Sequence, residues 1–244
     1  MKFAVTRDKL NSIPETPKTK LDQKPRSYFK EDEYSKLWRA AIKLGNKKYT
    51  HALEIKGVPT RYLYYTRELS DFIVFSTNVF VRLSDAKDLK HKHVSIVAGT
   101  ETALEITPPH SKTVSKTSMS MPIAVKVYRR LVQRHQAEGK GVGPDDYIFY
   151  PEYRNRTYAL DNLRRLFNHL LQKTDLKTDA FGTPRTLYSL RHTALMYRFL
   201  YMDPPDIFLI ARNALTSVEM LEKFYLSHAD TRMKLTQLQS KKKL

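Results

Sequence analysis

Residues 185–193 have the sequence Arg185-Thr186-Leu187-Tyr188-Ser189-Leu190-Arg191-His192-Thr193, and this stretch decides how the rest of the chain is interpreted. It begins a segment, residues 186–202, whose apolar residues recur at helical spacing until Asp203-Pro204-Pro205 closes it. Polar groups are embedded in this otherwise apolar pattern. The segment is therefore predicted to be a buried helix that also carries chemistry.

Two other segments carry similar groups at helix ends. In residues 78–85, NVFVRLSD, Arg82 interrupts an apolar helix end and Asp85 follows three residues later. Taken alone, this spacing is typical of a partly buried ion pair. Residues 216–225, TSVEMLEKFY, place Tyr225 near the end of a short helix. A lone tyrosine there is usually a core residue with a hydrated hydroxyl. The order of the segments along the chain must therefore distinguish a functional role from a structural one.

That order resembles the catalytic domain of the tyrosine site-specific recombinases, the phage-integrase family. In this family an arginine follows a long helix, a lysine lies in a β-hairpin, a second arginine lies on a late helix and a tyrosine lies near the C-terminus. The sequence is similar to integrases of bacterial mobile elements with R-T-x-Y-S-L-R-H-T followed by T-S-V-E-M-I-E-x-x-Y. The resemblance covers about residues 28–228.

The resemblance implies a role for each matched residue. Arg82 and Arg191 are similar to the two catalytic arginines, and Asp85 to the acidic residue that orients the first of them. Tyr225 is similar to the nucleophile. These roles imply site-specific DNA recombination or integration through a covalent 3′-phosphotyrosyl intermediate.

The remaining catalytic candidates match the family's motif less closely. Lys112, in Ser111-Lys112-Thr113, matches the hairpin lysine better than Lys116 does. Tyr188 stands where the family usually has histidine, and Thr216 where it often has histidine or tryptophan. Both variants suit the branch named above, but they weaken any assignment of histidine as a general base. His192, directly after the second arginine, resembles a buried structural histidine.

Phosphodiester cleavage explains these residue types. Attack by a tyrosine oxygen builds negative charge on two non-bridging oxygens of a pentavalent phosphorus, and a planar guanidinium donates to both while staying charged. A lysine can protonate the leaving 5′-oxygen. The phosphotyrosyl ester keeps the bond energy, so a 5′-hydroxyl can reverse the attack without ATP. No cofactor and no metal are expected. His91 and His93 are predicted to be surface or DNA-facing groups rather than a metal pair.

Composition agrees with a nucleic-acid partner. The chain of 244 residues has 43 Lys and Arg against 25 Asp and Glu, a net charge of +18, and 41% hydrophobic residues are enough for a core. There is no cysteine and no apolar run long enough to cross a membrane, which favours a cytoplasmic, nucleoid-associated bacterial protein. Phosphate contacts are expected from basic residues outside the site, namely Arg129, Arg130, Arg134, Lys140, Arg154, Arg156, Arg164 and Arg165.

The predicted fold class is α+β, mostly α, with a small three-stranded antiparallel sheet at about residues 93–122. Residues 1–27 are expected to form a basic, proline-containing lead, residues 28–228 the catalytic domain, and residues 229–244 a tail that docks on a neighbouring protomer. Asp161 is the expected N-cap of a helix at 161–172. Further helices are predicted at about 31–45, 60–81, 83–89, 123–137, 186–202, 206–213 and 217–225.

Two alternatives to a recombinase stay open. A type IB topoisomerase would relax DNA without a defined site, and a DNA-binding module could have kept the fold but lost the chemistry. The expected partner of a recombinase is double-stranded DNA with specific attachment sites, bound by a homotetramer that is monomeric without DNA. Accessory DNA-bending proteins are further potential partners. The family usually carries an N-terminal core-binding domain, so the chain is expected to be a fragment or a minimal enzyme.

Overall fold

The computed structural model describes residues 27–46, 65–110, 117–202 and 205–224. Within these ranges three short strands are β1 (Val94–Val97), β2 (Ala103–Ile106) and β3 (Ser118–Met119), and a 3₁₀ turn covers His91–His93. The α-helices of the described residues are α1 (Glu31–Asn46), α2 (Arg67–Asn78), α3 (Leu83–Ala86), α4 (Pro122–Ala137), α5 (Arg156–Lys173), α6 (Tyr188–Tyr201), α7 (Ile207–Asn213) and α8 (Val218–Phe224). The predicted mostly helical fold with one small sheet is confirmed.

Helix α2 lies at the centre of the described residues and packs against α1, α4, α5 and α6. Because it has neighbours on all sides, its side chains are buried around most of its circumference. Phe72 and Phe75 both pack edge-on against Phe149, with ring centroids 5.0 and 5.2 Å apart. The backbone becomes extended at Val79, which ends the helix three residues before Arg82.

Two buried carboxylates of α2 are paired with basic residues of α4. Glu68 accepts hydrogen bonds from Arg134, from His135 at 3.0 Å and from the backbone N–H of Tyr150 at 2.8 Å. The carboxylate of Asp71 is bound by Arg134 and also by Arg130. Buried carboxylates need such partners because an unpaired charge is costly to desolvate. Arg130, predicted to contact DNA, is therefore engaged in the ion pairs that join α2 to α4.

The sheet is antiparallel with the order β1-β2-β3. Val94 lies opposite Ile106 in the first pair, and Glu105 lies opposite Met119 in the second. Leu104 and Ile106 of the central strand are fully buried, whereas most of β1 is exposed. The sheet thus rests on the helical core through its central strand.

The start of α5 differs from the prediction. Asn155 is the N-cap, and its Oδ1 accepts a hydrogen bond from the backbone N–H of Tyr158 at 3.1 Å. Asp161 lies inside the helix and pairs with Arg164 at 3.0 Å. The prediction of Asp161 as N-cap is wrong, because the buried face of the helix already begins with Ala159 and Leu160. The predicted helices at 60–81 and 217–225 extend into residues outside the described ranges.

Residues 27–30 are attached to the region around α6. Arg185, only 2% exposed, donates to Ser27 Oγ at 3.2 Å, to Tyr28 O at 3.2 Å and to Glu33 Oε2 at 2.6 Å. The backbone N–H of Phe29 donates to Thr193 Oγ1 at 3.0 Å. The first and last residues of the 185–193 stretch therefore bind the beginning of the described chain. No helix within the described residues is long and apolar enough to span a bilayer.

Candidate DNA strand-cleavage site

Two arginines from distant parts of the chain meet at one turn. Arg82, which precedes α3, donates from Nη2 to the carbonyl oxygen of Leu215 at 3.3 Å. Arg191, in the first turns of α6, donates from Nη2 to the carbonyl oxygen of Ala214 at 2.7 Å. The two acceptors are consecutive residues between α7 and α8. The tertiary structure thus brings together the two arginines that the sequence analysis paired.

The turn between α7 and α8 is fixed by its own hydrogen bonds. The N–H of Thr216 donates to Ala211 O at 3.0 Å, and Leu215 has a φ of 52°, which is uncommon for a non-glycine residue. Asn213 binds the backbone of Met119 in β3 through both its side-chain atoms, at 2.7 and 2.9 Å. The turn is therefore tied to the sheet as well as to the arginines. Phe80 packs with apolar residues of α6, α7 and α8, and this cluster supports the turn.

An open cleft of about 810 Å³ lies in front of this turn. Arg82 and Thr216 line it together, so two sequence-predicted residues share one surface. Arg212, in the last turn of α7, also lines the cleft and was not predicted; the only signal was a basic residue one helix before the tyrosine motif. The remaining lining residues are Thr117, Ala211, Leu215, Ser217 and Met220. Its two cationic residues make the cleft suited to a polyanion.

Asp85 is placed differently from the expectation. It is buried, but no salt bridge joins it to Arg82, whose guanidinium donates to Leu215 instead. The two residues are linked through the backbone, because the N–H of Asp85 donates to Arg82 O at 3.0 Å and starts α3. The ion pair suggested by their spacing is therefore not formed. Direct orientation of Arg82 by this carboxylate has no support in the geometry.

Tyr188 and His192 lie on one face of α6. Their rings contact edge to face with centroids 4.9 Å apart, and His192 is 2% exposed. The burial of His192 agrees with the structural histidine that the resemblance implied. Tyr188 does not line the cleft of Arg82 and Thr216; it lines a second cleft of about 340 Å³. Among the described catalytic candidates, Arg82 and Thr216 therefore line one cleft and Tyr188 lines the other.

Three predicted catalytic residues lie outside the described residues. Lys112 and Lys116 belong to the segment 111–116 between β2 and β3, and Thr117, the next residue, lines the first cleft. Tyr225 follows Phe224, the last residue of α8. Their roles remain predictions.

The arginines predicted to bind DNA fall into two groups. Arg156 is 9% exposed, donates to the carbonyl oxygens of Lys87, Phe149, Tyr150 and Tyr153, and lies over the ring of Tyr147 at 3.9 Å. All its described contacts are internal, so its prediction as a DNA contact is corrected to a structural role. The exposed members are Arg129, Arg130, Arg154, Arg164 and Arg165, of which Arg130 also pairs with Asp71.

The His91 and His93 side chains have separate protein partners. His91 Nδ1 is 2.8 Å from the hydroxyl of Tyr128, and the backbone N–H of Lys90 donates to His93 Nδ1 at 3.1 Å. His91 is buried, so its prediction as a surface group is wrong. Burial lowers the pKa of both histidines, and the charges of Lys92 and Lys90 lower that of His93 further.

No protein-family model and no curated protein matches the sequence. Solved structures do match it. The chain superposes on XerA recombinase with a TM-score of 0.58 at 17% identity, over 90% of this chain and 67% of that one. For XerH site-specific recombinase bound to a palindromic difH substrate, in a post-cleavage complex, the TM-score is 0.56 at 13% identity, over 88% of this chain and 53% of that one. For the Tn1549 transposon integrase in complex with transposon right end DNA, the TM-score is 0.55 at 13% identity, over 98% of this chain and 76% of that one.

These likenesses establish the fold. The chain has the fold of the tyrosine recombinases and integrases, as its sequence motifs implied. It spans about two thirds of the XerA chain and about half of the XerH chain.

Proposed function

We propose that this protein breaks and rejoins DNA, carrying out site-specific recombination or integration through a covalent 3′-phosphotyrosyl intermediate. One observation carries the proposal. The guanidinium groups of Arg82 and Arg191 bind consecutive carbonyls of the turn that leads into α8, and Tyr225 follows α8 in the sequence. Two permanent positive charges and a phenol nucleophile are what attack on a phosphodiester requires.

The two arginines are suited to different parts of this task. Arg82 is exposed and lines the cleft, and a guanidinium has five N–H donors, so its single bond to Leu215 leaves donors for a phosphate. Arg191 is 6% exposed and is held by Ala214. A charge in a site from which water is largely excluded stabilises developing negative charge more strongly than one in water.

The proposed reaction conserves atoms and charge at each step. The Tyr225 oxygen forms a bond to phosphorus while the bond from phosphorus to the 5′-oxygen breaks. The phenol proton passes to solvent, and a hairpin lysine gives a proton to the 5′-oxygen. Religation is the same exchange in reverse, with a 5′-hydroxyl as nucleophile, so no external energy source is consumed.

DNA is the proposed partner, held at specific attachment sites by a tetramer. The net charge of +18 and the cationic cleft support this, and the XerH and Tn1549 structures are of complexes with DNA. A cytoplasmic location beside the nucleoid is part of the same proposal.

The decisive experiment selects covalent complexes. A randomised library of nicked suicide duplexes is mixed with the protein in EDTA, and DNA that stays attached in SDS is sequenced. We expect adducts enriched in one sequence, since two arginines supply the charge that a metal would otherwise provide. Tyr225→Phe should abolish them without weakening DNA binding, whereas Tyr201→Phe, which alters an exposed tyrosine of α6, should form them normally.

The other outcomes separate the alternatives. Adducts with no sequence preference would favour a topoisomerase-like relaxing enzyme. DNA binding without any adduct would favour a non-catalytic DNA-binding module, and adducts formed by Tyr225→Phe would remove the assigned nucleophile.

The lysine that protonates the leaving group is identified by chemical rescue. We propose Lys112, and Lys112→Ala should slow cleavage of normal DNA. It should recover with a 5′-bridging phosphorothiolate, because a thiolate leaves without a proton. Lys116→Ala is the matched control, and rescue confined to that variant would reassign the role.

A further inference from the structure

The second cleft lies beside the first, and Tyr188 is the one catalytic candidate among its described lining residues. Its volume is about 340 Å³, and it is lined by Leu83, Arg164, Asn168, Lys177, Thr186, Leu187 and Tyr188. It shares no lining residue with the first cleft. The two clefts adjoin where Arg82 and Leu83 follow each other in the chain.

The lining of this cleft is cationic and rich in donors. Lys177 is half-buried, and its Nζ is held by Asn168 Oδ1 at 2.8 Å, so the ammonium group is already positioned. Arg164 comes from α5, and two residues carry hydroxyl groups: Tyr188, the first residue of α6, and Thr186, which lies just before that helix. None of the described lining residues carries a carboxylate.

The ion pair between Arg164 and Asp161 does not prevent Arg164 from binding a ligand in the cleft. The side chains are 51% and 44% exposed, and a pair so open to water contributes little free energy. Arg164 can therefore exchange Asp161 for a phosphate at small cost. Two cations from separate elements, together with hydroxyl donors, are typical of sites that bind phosphate oxygens.

We propose that this cleft binds a backbone phosphate of the DNA at a linkage beside the one that is cleaved. The proposal rests on the proposed function. A DNA strand presents a phosphate for about every 3.4 Å of helix axis. A strand whose scissile phosphate lies at Arg82 therefore carries its next phosphates past Leu83 toward Lys177. Lys177 and Arg164 are positioning residues that set the register of the strand against the arginines.

The first test compares two lysines of equal charge. Lys177→Gln removes a charge from the cleft, and Lys173→Gln removes one from the exposed last turn of α5, outside the cleft. Binding to a fluorescent duplex is measured over a range of salt concentrations. We expect Lys177→Gln to weaken binding about tenfold and to reduce the slope of log affinity against log salt by about 0.9. Lys173→Gln should change both much less, and equal changes in the two variants would overturn the proposal.

The second test locates the phosphate. In the duplex selected by covalent capture, single phosphates are replaced by neutral methylphosphonates. For the wild-type protein, one replacement beside the cleaved linkage should weaken binding, and in Lys177→Gln the same replacement should cost nothing more. Equal penalties in both proteins at every position would overturn the proposal. Arg164→Gln repeats the comparison on the other wall, with exposed Arg39→Gln, an arginine of α1 outside the cleft, as control.

The two proposals fail in different ways. A wild-type protein that forms no adduct with any duplex contradicts the proposed function. The salt dependence of binding still tests the cleft in that case, because it requires no cleavage.

Discussion

Two arginines of the candidate site differ in burial, although the motifs give them equivalent roles. Arg82 is exposed and its bond to Leu215 is long at 3.3 Å, whereas Arg191 is buried and binds Ala214 at 2.7 Å. Removing a buried donor leaves a carbonyl unsatisfied, while removing an exposed one does not. Replacement by alanine should therefore impair catalysis at both positions but lower the stability of the fold mainly at Arg191.

Arg82→Ala should reduce covalent adduct formation by more than about a hundredfold, the scale for losing one transition-state donor. Its free energy of unfolding should stay within about 0.5 kcal/mol of wild type. Arg191→Ala should lose cleavage similarly and about 1–3 kcal/mol of stability as well. Adduct yield and urea unfolding measure the two effects, with exposed Arg39→Ala as control. Full activity in Arg82→Ala would exclude it from the chemistry.

At the scale of single elements, two substitutions test which residue caps the N-terminus of α5. Asn155→Ala should cost about 1 kcal/mol, because the N–H of Tyr158 loses its acceptor. Asp161→Ala removes only an exposed i,i+3 ion pair and should cost less than about 0.5 kcal/mol. Urea denaturation of both variants measures the two losses in the free energy of unfolding. A larger loss for Asp161→Ala would restore Asp161 as the cap.

The interface of α2 and α4 makes the fold sensitive to acid. Burial by itself raises the pKa of Glu68, but the hydrogen bond and charge of His135, the bond from Tyr150 and the charge of Arg134 outweigh it and hold the pKa below its usual value. A carboxylate with a lowered folded-state pKa stabilises the protein above its unfolded pKa, about 4.3. That contribution is lost as the pH falls through the lower, folded-state value.

Glu68→Gln should therefore destabilise the protein by about 3 kcal/mol near neutral pH, since it removes the buried carboxylate that binds Arg134 and His135. The difference from wild type should shrink as the pH falls below about 4.3. Thermal unfolding over a pH series measures it. Glu138→Gln, the same change at a half-exposed site, should cost little. A pH-independent difference for Glu68→Gln would contradict the linkage.

At the scale of the whole molecule, one active site breaks one strand, whereas exchange between two duplexes needs four breaks. The working unit is therefore expected to be a tetramer on two DNA sites. The segment expected to link protomers is 229–244, with Met233, Leu235 and Leu238 as its apolar residues. It lies outside the described residues.

Deleting residues 230–244 should impair strand exchange and tetramer formation more than DNA binding, because the apolar contacts between protomers are lost. Native mass measurement on DNA and a recombination assay test this. Deleting only 241–244, which removes Lys241-Lys242-Lys243 and leaves the apolar residues, is the control for charge. An intact tetramer after the longer deletion would remove the tail from assembly.

The sequence by itself determined the helices, the three-stranded sheet and the order of the motifs. These follow from local rules, because apolar residues recur with the period of a helix or a strand. The predicted helix at 206–213, for example, agrees with α7, which Asp206 caps. The pairing of Arg82 with Arg191 was also predictable, but only through the family resemblance.

The tertiary structure alone decided which partner each polar side chain has. Arg156 looked like a surface arginine in the sequence but binds internal carbonyls, and exposed Arg130 pairs with buried Asp71. Arg212, which no motif marked, lines the cleft. Asp85 is three residues from Arg82, yet Arg82 binds Leu215, which is 133 residues away. The physical reason is that periodicity reports which face of an element is buried. The partner of a buried charge depends on segments that meet only when the chain has folded.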